Sequence, residues 1–447
     1  MLQIIPPTSQ LSGKVILPGS KSITNRALLL AALADGVSEI HGALKSDDTK
    51  YMIAGLRQLG IEIEEKKDGT TLVVHGKNGK LAESKEKIFL GNAGTATRFL
   101  TAAAILMNGE TIIDGDAHMR ERPIKDLVDA LTQLGAKIEY LGKAGCPPLR
   151  IISNGKIPGE KIKIRADISS QFLSAIMMVA PLAEKEVQIQ FIGKPVSKGY
   201  LDLTESVMIE FGQKSFQIKK EKETFISRNT GKTVEITNEF IPIKHQKYLP
   251  QKFSVDADAS SATYFWAAEK LLNQKIKIEN LSQKFWQPDS ESKKIIDQFP
   301  NLPPKIDGSK FPDAIPTLAV LAAFSKTPTI RFFGIANLRV KECDRIAALV
   351  KNLNKIKPGL AQESFRDELI ISGTENLASL KLAYDDVFAK TGKPVIIESF
   401  DDHRIAMAFF LAGLKIPGIK IDKPDCVAKS FPNFWEIWEQ LGVKFLK

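Results

Sequence analysis

A short polar turn near the N-terminus combines residue types that bind anions. In LPGSKSITNRALLLAAL, residues 17–33, Gly19 permits a tight turn and Ser22 is placed to cap the following helix. The free N–H groups at a helix start favour a negatively charged ligand. Ser22 and Arg26 share one face, with Lys21 just before it. A nucleotide-binding G-x-x-x-x-G-K-[ST] loop is excluded because its glycines are missing. An ordinary capped helix with solvated Lys and Arg side chains is the alternative.

Further segments repeat this pattern of a small polar turn that opens a nearly all-apolar helix. The six copies are GSKSITNRALLLAAL, GNAGTATRFLTAAAIL, ADISSQFLSAIMMVAPLA, DASSATYFWAAEKLL, FPDAIPTLAVLAAF and FDDHRIAMAFFLAGL. A helix that is apolar on every side is usually buried on every side. If these helices run parallel, their N-termini lie on one face, and their dipoles make that face attractive to anions.

A second pattern alternates with the first and consists of an amphipathic helix, a turn and a short strand. Clear copies are YMIAGLRQLGIEIEE, LVDALTQLGAKIEY, ESVMIEFGQKSFQI and FWEIWEQLGVKFL, and weaker ones surround KKIIDQFPNLPPKI and IAALVKNLNKI. The alternation predicts six βαβαββ units, three in each of two similar α/β domains. We place the first domain at residues 21–248 and the second at residues 1–20 and 249–447.

The composition of the chain limits the classes of function. With 447 residues, 43% of them hydrophobic, the chain is long enough for two domains with sizeable cores. We expect a cytoplasmic protein, because no signal peptide or bilayer-spanning run is visible and the three cysteines lie far apart. The five scattered histidines predict no metal site. A net charge of +10 and a pI near 9.2 admit nucleic acid or small polyanions as partners.

Together, the polar turns resemble those of one family. GSKSITNRALLLAAL, GNAGTATRFL, RERPI, DISSQFLSA, FPDAIPTLA, NLRVKECDR and DDHRIAMA are similar in order and spacing to motifs of the 5-enolpyruvylshikimate-3-phosphate (EPSP) synthase family of enolpyruvyl transferases. The resemblance extends from about Leu17 to Phe431. It implies two inverse α/β-barrel-like domains of three repeats each, with an interdomain active-site cleft. This fold class agrees with the repeat pattern.

The resemblance also implies a reaction between two anionic small molecules. The enolpyruvyl group of phosphoenolpyruvate is transferred to the 5-hydroxyl of shikimate 3-phosphate, and phosphate is released, in the shikimate pathway to chorismate and aromatic amino acids. The family needs no metal or organic cofactor. We therefore expect these two substrates, and neither nucleic acid nor a membrane, as partners of a monomer. The reaction needs a base near the hydroxyl, an acid near the methylene carbon, and cations around the phosphates and carboxylates.

Two carboxylates are the candidates for proton transfer. By resemblance, Asp313 in FPDAIP is the base, Glu342 in RVKECDR is the acid, and Lys21 shares the proton-transfer role. A carboxylate held among cations normally has a lowered pKa, so Glu342 needs burial or substrate charge to become protonated. On spacing alone, Asp313 also fits a plain N-cap aspartate, and the charged run around Glu342 also fits a solvated loop.

The resemblance assigns one set of residues to phosphoenolpyruvate. Guanidinium groups suit this ligand because each pairs with two oxygens at once. Gly94 lets the ligand approach closely, where a Cβ would intrude. The predicted set is Lys21, Asn92, Gly94, Thr95, Arg122, Gln171, Arg345, Arg404 and Lys429.

A second set is assigned to shikimate 3-phosphate. The phosphate is expected to bind Ser169, Ser170 and Gln171, the polar trio that opens the third apolar helix. The ring hydroxyls are expected to bind Asn337 and Lys341. Tyr200 fits the core as well as the site, and His403 is expected to support the site rather than to bind a metal. The predicted set is Lys21, Ser22, Arg26, Ser169, Ser170, Gln171, Ser197, Tyr200, Asp313, Asn337 and Lys341.

Two positions depart from the family pattern near the second polar turn. Thr97 and Phe99 stand where the family often has Met and Pro. Gly94 predicts sensitivity to glyphosate, an inhibitor of the family, and the Phe99 departure bears on the degree of that sensitivity. The Lys-rich stretch at 214–252 reads as a long hairpin or loop without an assigned function.

Two alternative functions are kept open. A UDP-N-acetylglucosamine enolpyruvyl transferase shares the fold, but it usually carries a reactive Cys in the loop that matches DAHMRERP, where this chain has none. A basic nucleic-acid-binding protein would need a phosphate-spaced basic patch or stacking aromatic residues, and the sequence shows neither.

Overall fold

Two kinds of helix alternate along the chain. The computed structural model describes residues 1–193, 196–226, 233–282, 285–364, 367–373 and 394–446. The α-helices in these ranges are α1 (Lys21–Leu33), α2 (Asp47–Gln58), α3 (Gly94–Ala103), α4 (Lys125–Gln133), α5 (Ser170–Val179), α6 (Lys198–Glu210), α7 (Ala259–Leu272), α8 (Lys293–Ile296), α9 (Ile315–Ala323), α10 (Arg345–Ile356), α11 (His403–Gly413) and α12 (Phe434–Gln440). The odd-numbered helices are almost wholly buried, whereas the even-numbered ones bury one side. The predicted alternation is confirmed in these ranges.

The strands form small mixed sheets. Their bounds are β1 (Leu2–Ile5), β2 (Lys14–Val15), β3 (Asp35–His41), β4 (Glu62–Glu65), β5 (Leu72–Lys77), β6 (Ile88–Phe89), β7 (Asn108–Asp114), β8 (Lys137–Tyr140), β9 (Leu149–Asn154), β10 (Lys161–Arg165), β11 (Val187–Ile192), β12 (Lys219–Ile226), β13 (Thr233–Ile243), β14 (Lys252–Ser254), β15 (Lys277–Ile278), β16 (Lys305–Asp307), β17 (Thr329–Phe333), β18 (Ala361–Ser364), β19 (Glu368–Ser372), β20 (Ile396–Ile397), β21 (Lys420–Ile421) and β22 (Lys444–Leu446). The Lys-rich stretch therefore contains the β12–β13 hairpin, which is one of the two predicted forms.

One sheet topology recurs through the chain. In the described part, five four-stranded sheets each contain one parallel pair and two antiparallel pairings: β14-β3-β5-β4, β6-β7-β9-β8, β10-β11-β13-β12, β16-β17-β19-β18 and β20-β21-β1-β22. The sixth sheet is only the parallel pair β2–β15. This sheet therefore departs from the four-stranded pattern of the other five. Here the chain passes through the short helix α8 and three prolines, which lack ladder donors, before β16 joins the next sheet.

The chain divides into two compact units. Unit 1 comprises residues 1–21, 44–47 and 256–447, and unit 2 comprises residues 22–43 and 48–255. The predicted domains, 21–248 and 1–20 with 249–447, stay a prediction of which parts fold independently.

Two strands pair with a strand that is distant in sequence. Strand β2 leads into α1 but pairs with β15, whereas β14 leads into α7 but pairs with β3. These connections carry the chain between the two units.

The buried helices form the core that fixes the polar turns. In unit 1, α7, α9 and α11 contact one another, and the ring of Phe265 stacks on Trp438 with centroids 4.7 Å apart. In unit 2, α3 contacts α5. Among the described helices, none is both long and apolar enough to span a bilayer.

Candidate active site

Asp313 lies at the centre of a cluster of cations in unit 1. It belongs to the short 3-10 turn Pro312–Ala314, which leads directly into α9. Its Oδ1 lies 3.1 Å from Nη1 of Arg345 and 3.6 Å from Nζ of Lys341. Its Oδ2 lies 3.4 Å from Nη2 of Arg404. Three predicted cations, two of them from the motif NLRVKECDR and one from α11, therefore meet one predicted base.

The surroundings of Asp313 determine its protonation. Burial alone would raise the pKa of this carboxyl group, but Lys341, Arg404, Arg345 and Lys21 together lower it well below its usual range. Asp313 is therefore ionised at neutral pH and able to accept a proton.

The turn before Lys21 is held in place by backbone pairing. Gly19 bridges to Ala257, and the N–H of Ser20 donates to the carbonyl oxygen of Asp256 at 2.8 Å. Because α1 begins at Lys21, Ser22 lies within its first turn. The expectation that Ser22 caps this helix is wrong, since the helix already includes the preceding residue.

The predicted acid, Glu342, lies between two cations. Its Oε2 accepts a hydrogen bond from Nη2 of Arg345 at 2.9 Å, and its Oε1 lies 3.1 Å from Nζ of Lys429. The Glu342 side chain is only 8% exposed. The carboxyl group is thus enclosed with the two cations predicted to bind phosphoenolpyruvate.

Asp402 forms hydrogen bonds with two of the site arginines. Its buried carboxylate accepts from Nε of Arg345 at 2.8 Å and from Nη2 of Arg345 at 3.2 Å. As the N-cap of α11, it also accepts from the backbone N–H of Arg404 at 2.8 Å. The contact between Asp402 and Arg345 joins residues 57 positions apart and could not be predicted from a local motif.

His403 is buried beside this cluster. Neither ring nitrogen has a hydrogen-bond partner among the described residues. Burial lowers the pKa of His403 well below its usual value, and the charges of Lys21 and Arg404 lower it further. The imidazole is therefore neutral at physiological pH, which suits a group that supports the site.

In unit 2, the start of α3 lies against Arg122. Nη1 of Arg122 donates to Oδ1 of Asn92 at 3.1 Å. A Cβ added to Gly94 would lie 2.7 Å from Nη1 of Arg122, so any larger residue at 94 must displace the guanidinium group. The structure thus explains in this chain why a glycine is needed beside Arg122. Gln171 contacts the first turn of α3 at another residue, because its Nε2 donates to Oγ1 of Thr95 at 3.3 Å.

The polar trio Ser169, Ser170 and Gln171 lies at the start of α5. Ser169 is the N-cap, and its Oγ accepts from the N–H of Gln171 at 3.2 Å. Ser170 is the first residue of the helix. Ser197 precedes α6 in a left-handed conformation with φ of 55°, and Tyr200 is buried in the first turn of α6.

Arg26 is buried within unit 2. Its Nε donates to Oγ1 of Thr204 at 2.8 Å, and Nη2 donates to Oγ of Ser174 at 3.2 Å. Burial lowers the pKa of Arg26 to about 10. The guanidinium carbon of Arg26 lies 5.3 Å from the centroid of the Phe99 ring. Phe99, which departs from the family pattern, therefore packs against a residue that is predicted to bind substrate. These contacts favour a role in positioning the turn, and contact with substrate stays a prediction.

The described residues include one further group with metal-ligand chemistry. Glu62, Glu64 and His75 bring their ligand atoms together on β4 and β5, but both glutamates are exposed and His75 already lies 3.1 Å from Glu64. Exposed groups of this kind are common without an ion. The expectation that the protein uses no metal stays a prediction.

The predicted site residues therefore form groups within each unit. In unit 1, direct contacts or electrostatic interactions join Lys21, Asp313, Lys341, Glu342, Arg345, Arg404 and Lys429. Asn337 is buried in the 3-10 turn Ala336–Val340 of the same unit. In unit 2, contacts join Asn92, Gly94 and Arg122, and separately Thr95, Gln171 and Ser169. Sequence analysis missed Tyr264, whose hydroxyl oxygen lies 3.4 Å from Nη1 of Arg404, because a tyrosine in an apolar helix reads as core.

Comparison with protein families gives one match over nearly the whole chain. A model described as EPSP synthase (3-phosphoshikimate 1-carboxyvinyltransferase) matches residues 5–299 and 288–438. A protein from Rhizobium leguminosarum named 3-phosphoshikimate 1-carboxyvinyltransferase is 48% identical over 445 residues, which cover 99% of this chain and 98% of that protein. A chloroplastic protein of the same name from Petunia hybrida is 37% identical over 470 aligned residues, which cover 98% of this chain and 84% of the relative.

Solved structures give the same fold. The structure of EPSP synthase from Acinetobacter baumannii aligns with a TM-score of 0.73 and covers 100% of this chain and 99% of its own. At 24% identity, this match is evidence for the fold alone. It confirms the predicted α/β architecture.

Proposed function

The chain belongs to the EPSP synthase family, and on that premise we propose that it transfers the enolpyruvyl group of phosphoenolpyruvate to the 5-hydroxyl of shikimate 3-phosphate, releasing phosphate. The two alternative functions gain no support from its relatives. A monomeric state and a cytoplasmic location are part of the proposal, as is the absence of a nucleic-acid partner.

The observation that carries this proposal is the pairing of two enclosed carboxylates with four cations. Asp313 lies against Arg345, Arg404 and Lys341, and Glu342 lies against Arg345 and Lys429. A reaction that joins two polyanions needs both features, because the cations bind the substrates while the carboxylates move protons.

Asp313 is the proposed base for the attacking hydroxyl. In the free protein its pKa is low, because burial is outweighed by the charges of Lys341, Arg404, Arg345 and Lys21. Bound phosphate and carboxylate groups would neutralise those cations, so the basicity of Asp313 rises when the substrates are present. The base is thereby strengthened only in the complex that reacts.

Glu342 is the proposed acid for the methylene carbon. As it donates its proton to that carbon, the 5-hydroxyl oxygen bonds to the adjacent carbon of phosphoenolpyruvate and gives its proton to Asp313. The Glu342 carboxylate then takes a proton back from the new methyl group of the tetrahedral intermediate as phosphate leaves, which restores the double bond. Because Glu342 pairs with Arg345 and Lys429, an anion that competes for these cations favours its protonated form.

The remaining predicted residues divide between the two substrates. We propose that phosphoenolpyruvate binds the predicted set Lys21, Asn92, Gly94, Thr95, Arg122, Gln171, Arg345, Arg404 and Lys429. We propose that shikimate 3-phosphate takes Ser169, Ser170 and Gln171 for its phosphate. The other members of its set are Lys21, Ser22, Arg26, Ser197, Tyr200, Asp313, Asn337 and Lys341.

The experiment that tests this function measures phosphate release from phosphoenolpyruvate with each acceptor. We expect release that requires shikimate 3-phosphate and yields the enolpyruvyl product, identified by mass spectrometry. Release that requires UDP-N-acetylglucosamine instead, or no release with either acceptor, would contradict the proposal. Salt-sensitive retardation of DNA in a gel shift, without transfer activity, would favour the nucleic-acid alternative.

A further inference from the structure

Tyr264 places a buried hydroxyl group beside one of the site arginines in unit 1. It lies on α7 and is fully buried. Its ring packs edge-on against Phe434, with centroids 5.7 Å apart. A phenylalanine would satisfy that packing equally well. The hydroxyl group costs free energy to bury unless it forms a hydrogen bond, so its partner indicates its role.

That partner is the guanidinium group of Arg404. Nη1 of Arg404 donates to the Tyr264 hydroxyl oxygen at 3.4 Å, whereas Nη2 of the same group lies 3.4 Å from Asp313. Burial raises the pKa of Tyr264 above its usual value, despite the opposing charge of Arg404. The hydroxyl is therefore neutral, and it can accept this bond without cancelling the charge of the arginine.

The two contacts of Arg404 differ in what happens to them during the proposed reaction. Asp313 takes up a proton, and its attraction for Nη2 weakens when it does so. The Tyr264 hydroxyl is bound to the other nitrogen and does not titrate. It can therefore keep the plane of the guanidinium group fixed while Asp313 changes charge.

We propose that Tyr264 is a positioning residue that orients Arg404 for the anionic group of phosphoenolpyruvate. This inference rests on the proposed function, because it takes Arg404 as a ligand of that substrate. Tyr264 does not touch the reacting atoms. Its effect passes through the guanidinium group alone, so it concerns one substrate and not the other.

The test compares Tyr264→Phe with wild-type protein. We expect the KM for phosphoenolpyruvate to rise roughly tenfold, the size of effect expected for one hydrogen bond to a charged group. The KM for shikimate 3-phosphate should change less than about twofold. The melting temperature should fall by no more than about 2 °C, because only one hydrogen bond is lost and the ring packing is retained. An unchanged KM for phosphoenolpyruvate, or equal rises in both KM values, would overturn the inference.

The chain offers a matched control in Tyr248. This residue is also fully buried, and its hydroxyl donates to the carbonyl oxygen of Met178 at 2.8 Å in unit 2. Tyr248→Phe loses a buried hydrogen bond without touching Arg404. It should lower the melting temperature and leave both KM values unchanged.

A double-mutant comparison separates positioning from packing. In an Arg404→Lys background the guanidinium group is gone, so Tyr264→Phe should cause no further rise in the KM for phosphoenolpyruvate. A further tenfold rise in the KM for phosphoenolpyruvate would show that Tyr264 acts independently of Arg404 and would contradict the inference.

The failure of the proposed function is recognised separately. If the wild-type protein shows no transfer, its affinity for phosphoenolpyruvate is measured by calorimetry in wild type and Tyr264→Phe. Weaker binding by the variant supports the role of Tyr264 even then, whereas equal binding, or no binding by either protein, ends both proposals.

Discussion

At the scale of single residues, the site is a balance of charges that an anionic ligand can shift. Arg345 is almost fully buried and yet bonds to three carboxylates, those of Asp402, Asp313 and Glu342. Burial alone would lower the pKa of this guanidinium group, but the three carboxylates together raise it. An arginine so constrained cannot reorient freely, so a substrate meets donors that are already in place.

Replacing the proposed base tests the first proton transfer. Asp313→Asn keeps the shape of the side chain but cannot accept a proton from the attacking hydroxyl. We expect kcat to fall roughly a hundredfold or more, while the dissociation constant of shikimate 3-phosphate stays within about threefold. Steady-state kinetics and calorimetry measure the two quantities. Asp129→Asn, at an exposed carboxylate on α4, is the control, and unchanged turnover in Asp313→Asn would remove Asp313 as the base.

The buried histidine makes a second prediction, on the pH dependence of stability. The pKa of His403 is lowered in the folded state by burial and by nearby cations, so below its ordinary value of 6.5 only the unfolded chain binds the extra proton. Stability should therefore decrease by about 1.4 kcal/mol per pH unit as the pH falls below that value. The charged and titratable groups facing the ring are Lys21, Asp402, Arg404, Glu342 and Lys429.

The measurement is the melting temperature of wild type and His403→Asn at pH 7.5, 6.5 and 5.5. We expect the wild-type protein to lose more stability than the variant across this range, since asparagine does not titrate. His118→Asn, which replaces an exposed histidine, should follow the wild-type curve. Parallel curves for wild type and His403→Asn would show that His403 is protonated equally in both states.

Sequence motifs predicted the cations and carboxylates of the site but not the residues that hold them. Asp313, Glu342 and the site arginines lie in recognisable turns, whereas Tyr264 lies in a buried helix where any large apolar residue would fit the pattern. The bond from Tyr264 to Arg404 joins residues that are 140 positions apart. Such a contact depends on the packing of α7 against α11, which no local pattern specifies.

At the scale of helices and strands, many of the site residues lie at helix starts. Ser169 precedes α5, Arg345 opens α10, and Asp402 caps α11. The unpaired N–H groups and the dipole at such positions favour anions, so the fold supplies part of the electrostatic attraction before any side chain contributes. The short apolar helices could be predicted because an unbroken apolar run between polar turns has few other structures available to it. In the part of the chain that the structure describes, the sixth sheet has only two strands, which could not be predicted because it depends on which strands find partners.

The capping serine of α5 allows the structural and binding roles of one hydroxyl to be separated. Ser169→Ala should destabilise the protein by about 1 kcal/mol, and Ser169→Gly by only a few tenths, because glycine is a fair N-cap. Both variants should raise the KM for shikimate 3-phosphate, since both lack the hydroxyl. Urea denaturation and steady-state kinetics measure the two effects. If the KM for shikimate 3-phosphate rises in neither variant, Ser169 only stabilises the helix and does not bind the substrate.

At the scale of the whole molecule, the sequence already indicates two properties. The order of its residues shows the repeats, and its composition gives the net charge. The same strand order in successive sheets follows from a repeated sequence pattern, and that pattern predicted most of the architecture. The division into units could not be read from the sequence as sharply. Residues 44–47 belong to unit 1 although the segments on both sides belong to unit 2, and only long-range contacts assign them.

The net charge of +10 predicts a salt dependence for the reaction. Positive charge attracts both proposed substrates over long distances, and this attraction is screened as the ionic strength rises. Between about 0.02 M and 0.2 M KCl, we expect kcat/KM for each substrate to fall at least about threefold, while kcat changes less than about twofold. Initial-rate measurements across this range provide the check. A kcat/KM that does not respond to salt would show that the excess charge lies away from the route of the substrates.

The first strand of the chain is bonded to the last. Gln3 lies opposite Leu446 in the pairing of β1 with β22, and the other neighbour of β1 is β21. Strand β1 is synthesised before β21 and β22, so this sheet cannot assemble until those two strands have also been synthesised. Until then β1 lacks both of these partners. Because Gln3 and Leu446 are paired, a circular permutant in which a short linker connects β22 to β1 is a natural route to a chain whose strands emerge in a different order.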